Sequence, residues 1–163
     1  MTRFVCIFIA CLLILFTLSL YEPIVDHVIL PFTALIASIC GTLMQLLDAK
    51  VQVQGDIIRN ATTGFAIQIV RGCNAVDAVL ILMSAILAFP ANWRQKFLGI
   101  GLGFFAIQLV NIVRIISLFY LGQWNQVWFD WFHLYLWQAL IILDAMIVWL
   151  VWLRFLPSKK EIR

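Results

Sequence analysis

The chain has 163 residues, 64% of them hydrophobic and 12% charged, including seven tryptophans and thirteen phenylalanines. A water-soluble domain of this size cannot hide so much apolar surface, so its solvent is lipid. The net charge of +3 is not a nucleic-acid signal, because the lysines and arginines fall in short loops and at the C-terminus.

From the N-terminus, the first apolar run is 4–20, FVCIFIACLLILFTLSL, behind Arg3. It lacks a small-x-small cleavage pattern and reads as an uncleaved spanning helix. Segment 28–47 is also long enough to span, but it carries Ser38, Thr42, Gln45 and Asp48 at helical spacing. Between 50 and 70 the period changes: Val51 and Val53 alternate with glutamines, FAIQIV follows, and NATTG lies between. That pattern predicts a small β-hairpin. Runs 74–90, 97–121 and 134–153 each approach the roughly 20 residues that cross a hydrocarbon core.

Loop charge sets the orientation. Arg94 and Lys96 occupy ANWRQK, and Arg154, Lys159, Lys160 and Arg163 sit in the tail, whereas GQWNQVWFDWFH has no Lys or Arg and three tryptophans. The positive-inside rule puts ANWRQK and the tail in the cytoplasm, with 48–73 and 122–133 outside. Keeping Arg3 inside as well favours 28–47 as an amphipathic helix at the outer interface, which leaves four spans. The expectation is one domain over 1–163: an all-α integral membrane helical bundle of four to five transmembrane helices with a small extracytoplasmic β-hairpin. Gly99 and Gly103 form a GxxxG pair suited to helix packing.

Polar groups inside spans are costly and point to function. Cys6, Cys11 and Cys40 lie in apolar runs as small hydrophobes, and no cysteine has metal-ligand spacing with the two histidines. No metal or cofactor is therefore expected. Cys73 differs, standing in RGCNAVDA beside Arg71, Asn74 and Asp77, with Asp77 expected one turn below it on one helix face. Gln108, Asn111, Arg114 and Ser117 recur every three residues, and Arg114 falls about 10 Å below the outer boundary at 1.5 Å per residue. His133 opens the last run at that boundary.

A cysteine, an arginine and a histidine in one leaflet suit acyl transfer. Cys73 would be the nucleophile, helped to ionise by a helix N-terminus and by Arg71 or Arg114. Arg114 would hold the oxyanion, and His133 would carry a proton to the leaving amine. Asn111, Asp77, Asn74 and Arg71 would support them. Other readings stand beside this one. Arg114 pairs with Asp77 to stabilise the bundle, or His27 supplies the histidine. Asp144 with Gln138 lines an ion path in a small transporter. A non-catalytic membrane assembly factor would need none of the cysteines.

RGCNAVDA, then FPANWRQKFLGIGLGFFAIQLVNIVRIISLFYLG, then WFHLYLWQALIILD resemble the exosortase/archaeosortase family of membrane cysteine proteases, and within it the short form called exosortase H. The resemblance covers about residues 30–155. Carried onto this chain, the family's catalytic residues are Cys73, Arg114 and His133. Many exosortases read CSG where this chain has Cys73-Asn74-Ala75. The resemblance implies a multi-pass enzyme of the bacterial inner membrane, active at its outer face through a thioester acyl-enzyme. It also implies membrane-anchored protein substrates bearing a C-terminal motif such as IPTLxxWG, a transmembrane helix and a basic tail. A surface nucleophile or water would be the acceptor.

Overall fold

The computed structural model describes residues 2–156. Lys159, Lys160 and Arg163, which helped to orient the tail, lie outside the described residues. Five helices and one sheet make up the described chain. Helix α1 is Thr2–Leu20, α2 is Glu22–Gln45, α3 is Val76–Ala88, α4 is Trp93–Trp124 and α5 is Gln126–Arg154. Four of these, all but α3, are long and apolar enough to cross a membrane. The all-helical membrane bundle with a small sheet is therefore borne out.

The helix α2 begins earlier than the apolar run does, at Glu22, with Pro23 in its first turn where a missing N–H costs nothing. Its apolar face, including Ile36, Ala37, Cys40 and Met44, is buried in a core shared with the sheet and with Ile115 and Phe119 of α4. The sheet has three antiparallel strands rather than two: β1 Val51–Gln54, β2 Ile57–Asn60 and β3 Ala66–Gln68, in that order. The extra turn is Gly55-Asp56, where Gly55 adopts φ +62°. Asn60 shapes the second turn by accepting from the Thr62 and Thr63 amides. Gly41 of α2 lets the sheet dock closely, since a Cβ there would strike the Val53 side chain.

A second core joins α3, α4 and α5 through Leu82, Ile86, Ile107, Ile141 and Trp152. Gly99 and Gly103 do serve as a packing surface: Gly99 faces the Trp152 indole, and Gly103 faces Leu82 and Val148. At the turn before α4, Asn92 and Gln95 form a capping box, and Lys96 Nζ donates to the Leu87 carbonyl at 2.6 Å.

Two helices are longer than their apolar runs. The aromatic connection 122–133 is almost wholly helical. Only Asn125 interrupts it, in an extended conformation (φ −158°, ψ 120°), and its side chain caps Val127 and Trp128. Helix α5 therefore starts well before His133, which lies inside it on a π-helical turn spanning Phe132–Leu136. Counted from Trp93, Arg114 is about 32 Å along α4, and His133 is about the same distance from Arg154 along α5. Both values match a hydrocarbon layer of roughly 30 Å. Arg114 and His133 thus lie at about the same distance from the Pro90–Asn92 end of the bundle.

Candidate active site

Cys73 stands between the other two residues singled out. Its Sγ is 3.9 Å from Arg114 Nη2 and 4.0 Å from His133 Nε2. Three elements supply these groups: the loop before α3, the middle of α4 and the π-turn of α5. The π-turn matters for aim, because one extra residue in a helical turn rotates the following side chains relative to a regular helix.

The loop 71–75 is not helical, which corrects the expected placement of Cys73 on a helix face with Asp77 below it. Helix α3 starts only at Val76, and the Cys73 amide donates to the Val70 carbonyl at 3.0 Å in a tight turn. Gly72 (φ 86°) and Ala75 (φ 57°) are both left-handed. Gly72 takes that conformation freely, whereas Ala75 takes it against steric resistance. Asn74 holds the strained turn together. Its Nδ2 donates to Thr33 Oγ1 at 2.9 Å, its Oδ1 accepts from the Val76 amide, and its carbonyl accepts from Gln108 Nε2. Thr33 and Gln108 are structural partners that the sequence reading did not assign to the site. Thr33 is a lone hydroxyl in an apolar run, and nothing local marks its partner.

Arg114 is 2% exposed, and its Nε and Nη1 have no hydrogen-bond partner among the described residues. It does not pair with Asp77, which is exposed in the first turn of α3. The bundle-stabilising salt bridge is thus replaced by a contact with sulfur. Arg71 is exposed and lines a separate crevice near Ser19 and Asp77, so Arg114 is the cation that reaches the thiol. Asn111 is fully buried one turn from Arg114, with both amide atoms unpartnered among the described residues.

Burial pushes the Cys73 thiol above its ordinary pKa, and attraction to Arg114 opposes this without reversing it. Ionisation of Cys73 is thus harder here than the sequence reading expected. The cause is that Cys73 lies outside the helix and deep enough for desolvation to outweigh one cation. No carboxylate hydrogen-bonds to His133 among the described residues. Its ring stacks on Phe129, with centroids 5.5 Å apart and planes at 4°, and its Nδ1 lacks a partner among the described residues. His27 bonds the Pro23 carbonyl of its own helix at 3.0 Å and is exposed. Asp144 is half-buried, with Oδ2 unpartnered among the described residues. No group of three or more His, Cys, Asp or Glu suited to a metal ion occurs among the described residues.

A lateral groove of about 440 Å³ opens beside the Cys73 loop. Gly72, Asp77 and Gln138 line it, as do Ala78, Ala85 and Ala145 on α3 and α5. Phe4 of α1 touches Trp149 and Phe89 nearby.

The model of the family described as transmembrane exosortase (Exosortase_EpsH) matches residues 2–153. This chain belongs to the exosortase family. Membership is consistent with cysteine transpeptidase chemistry and with a transmembrane, sortase-like protein that processes sorting signals. Comparison with curated proteins and with solved structures returned no match.

Proposed function

We propose that this exosortase-family chain is an intramembrane cysteine peptidase or transpeptidase. It cleaves C-terminal sorting signals of exported proteins at the outer face of the inner membrane. The observation that carries this reading is the position of Cys73 Sγ between Arg114 Nη2 and His133 Nε2.

With burial holding the Cys73 thiol above its ordinary pKa, proton transfer accompanies attack. His133 Nε2 takes the thiol proton as sulfur adds to the scissile carbonyl, and the oxyanion forms beside Arg114. Collapse of the tetrahedral intermediate breaks the C–N bond, and the imidazolium returns its proton to the departing amine. A thioester on Cys73 remains. An amine acceptor or water then adds to it, with His133 as base, and the thiol is released. The arginine's fixed charge in a poorly hydrated setting favours the oxyanion over the neutral ground state.

The groove beside Cys73 suits a substrate that is itself a membrane helix, since its four lining alanines, Ala75, Ala78, Ala85 and Ala145, allow close backbone approach. Arg94 and Lys96 next to the Pro90–Asn92 connection support a cytoplasmic position for that end and an outer position for the site. The test is co-expression with a membrane protein carrying a C-terminal motif, transmembrane helix and basic tail. Wild type should release the tail and Cys73→Ala should not. Tail release by Cys73→Ala at normal enzyme levels would refute the thiol mechanism. A transporter working through Asp144, or an assembly factor, would then take its place.

A further inference from the structure

The β1 edge of the sheet is partly closed and the β3 edge is open, and the open edge leads along the chain to Cys73. On β2, Asn60 N donates to Phe65 O, and Ile69 N of the following segment donates to Asp56 O. Phe65, Ile67 and Ile69 therefore face β2, and by alternation Ala66 and Gln68 turn their N–H and C=O groups away from it. No hydrogen bond reaches those outward groups from the described residues, and no strand pairs with that edge. Both residues are exposed.

The opposite edge of the sheet is closed at Val51, while the outward groups of Val53 meet no partner among the described residues. Val51 of β1 donates to the Asp48 carbonyl and accepts from Gln45 Nε2 at 2.9 Å. Open strand edges are ordinarily guarded by charge, proline or a bulge. β3 reads Ala66-Ile67-Gln68 and has none of these. Five residues after Gln68 comes Cys73, so the edge and the thiol are joined by at most about 17 Å of chain.

Resting on the peptidase reading above, we infer that the free edge of β3 is the docking strand for the extended segment of substrate that precedes the scissile bond. The physical need is plain. A peptide leaving a transmembrane helix has its carbonyls bonded within the helix, and it must unwind to present one to sulfur. Unwinding frees N–H and C=O groups near the hydrocarbon boundary, where unpaired backbone is costly. The outward groups of Ala66 and Gln68 supply the missing partners by strand addition, which recognises main chain and tolerates varied side chains. The transmembrane part of the substrate then continues along the groove that begins at Gly72 and Asp77.

Proline tests the edge, because it removes an outward N–H without touching the bonds to β2. Ala66→Pro and Gln68→Pro should each lower kcat/KM for the tailed substrate about tenfold, the usual worth of one main-chain bond. Gln68→Ala keeps the N–H and should lower kcat/KM less than Gln68→Pro does, although it loses the side-chain bond to Asp56. Thermal midpoint and Cys73 alkylation should be unchanged in all three. For any variant that does not fold, a benzophenone amino acid replaces Gln68 in the Cys73→Ala background. It should cross-link to substrate residues just before the cleavage point. Normal cleavage by both proline variants, or cross-links confined to the transmembrane part, would overturn the inference while leaving Cys73-dependent cleavage intact. Loss of Cys73 dependence would instead overturn the peptidase reading.

Discussion

Asn74 Nδ2 donates to Thr33 Oγ1 across 2.9 Å, and both side chains are almost completely buried. This bond ties the residue after Cys73 to α2, the helix expected to lie at the interface. Thr33→Val would leave the Asn74 amide unpaired at a cost of about 1–3 kcal/mol. Thermal unfolding in detergent should show that loss, and Cys73 should become easier to alkylate as its loop loosens. An unchanged midpoint would mean that α2 does not anchor the site.

Ala75 sits at the third position of the family's CSG and has φ 57°. Glycine there relieves left-handed strain of about 1–2 kcal/mol but frees the unfolded chain by about 0.4–1 kcal/mol. Ala75→Gly should therefore leave stability equal or up to about 1.6 kcal/mol higher, with cleavage preserved. A clear loss of midpoint would contradict the left-handed turn.

The thiol's behaviour with pH has a definite sign. Its pKa is raised by burial, so the reactive thiolate grows roughly tenfold per unit as pH climbs toward that value. Alkylation of Cys73 by a neutral reagent should be slower at pH 8 than for an exposed cysteine and should still be rising where the exposed one has levelled. Arg114→Gln removes the opposing attraction and should shift the curve further up. A profile that levels below the ordinary thiol value would show a pre-formed ion pair instead.

Much of this site was legible because lipid makes polar residues conspicuous. Cys73, Arg114 and His133 stood out against apolar runs, and the structure brings them together. What sequence hid was conformation at the breaks. The run to Leu121 ends where hydropathy falls, yet α4 continues to Trp124, because amphipathic aromatics keep helical hydrogen bonds at the interface. The strand β2 was hidden because Ile57 and Ile58 read as part of one polar stretch until Gly55-Asp56 is taken as a turn. Phe129 stacking on His133 is an i, i+4 pair, visible only once 126–133 is known to be helical.

The helix α4 offers an internal comparison among its glycines. A Cβ at Gly103 would strike Leu82 and press on Val148, whereas one at Gly101 meets nothing within 4 Å. Gly103→Val should cost about 1–3 kcal/mol through overpacking. Gly101→Ala should gain up to about 1 kcal/mol from helix propensity. Midpoints shifting in the same direction would show that the α3–α4–α5 packing is wrong.

The roles of Arg114 and His133 separate in the two half-reactions. Arg114→Lys keeps the charge but not the planar fork, and a flexible ammonium cannot hold the position of Nη2 against the oxyanion. Loss of one such donor slows chemistry about 10²- to 10³-fold, so kcat should fall while KM changes little. His133→Gln keeps the ring's approximate reach but cannot move a proton. If His133 protonates the leaving amine, that variant should show neither released tail nor thioester. If it acts chiefly as base in the second step, a Cys73-linked acyl species should build up and register as a mass increase on the enzyme. Phe129→Ala frees the imidazole from its stacking partner and should reduce kcat less than His133→Gln does. Wild-type turnover in both Arg114→Lys and His133→Gln would end the three-residue mechanism.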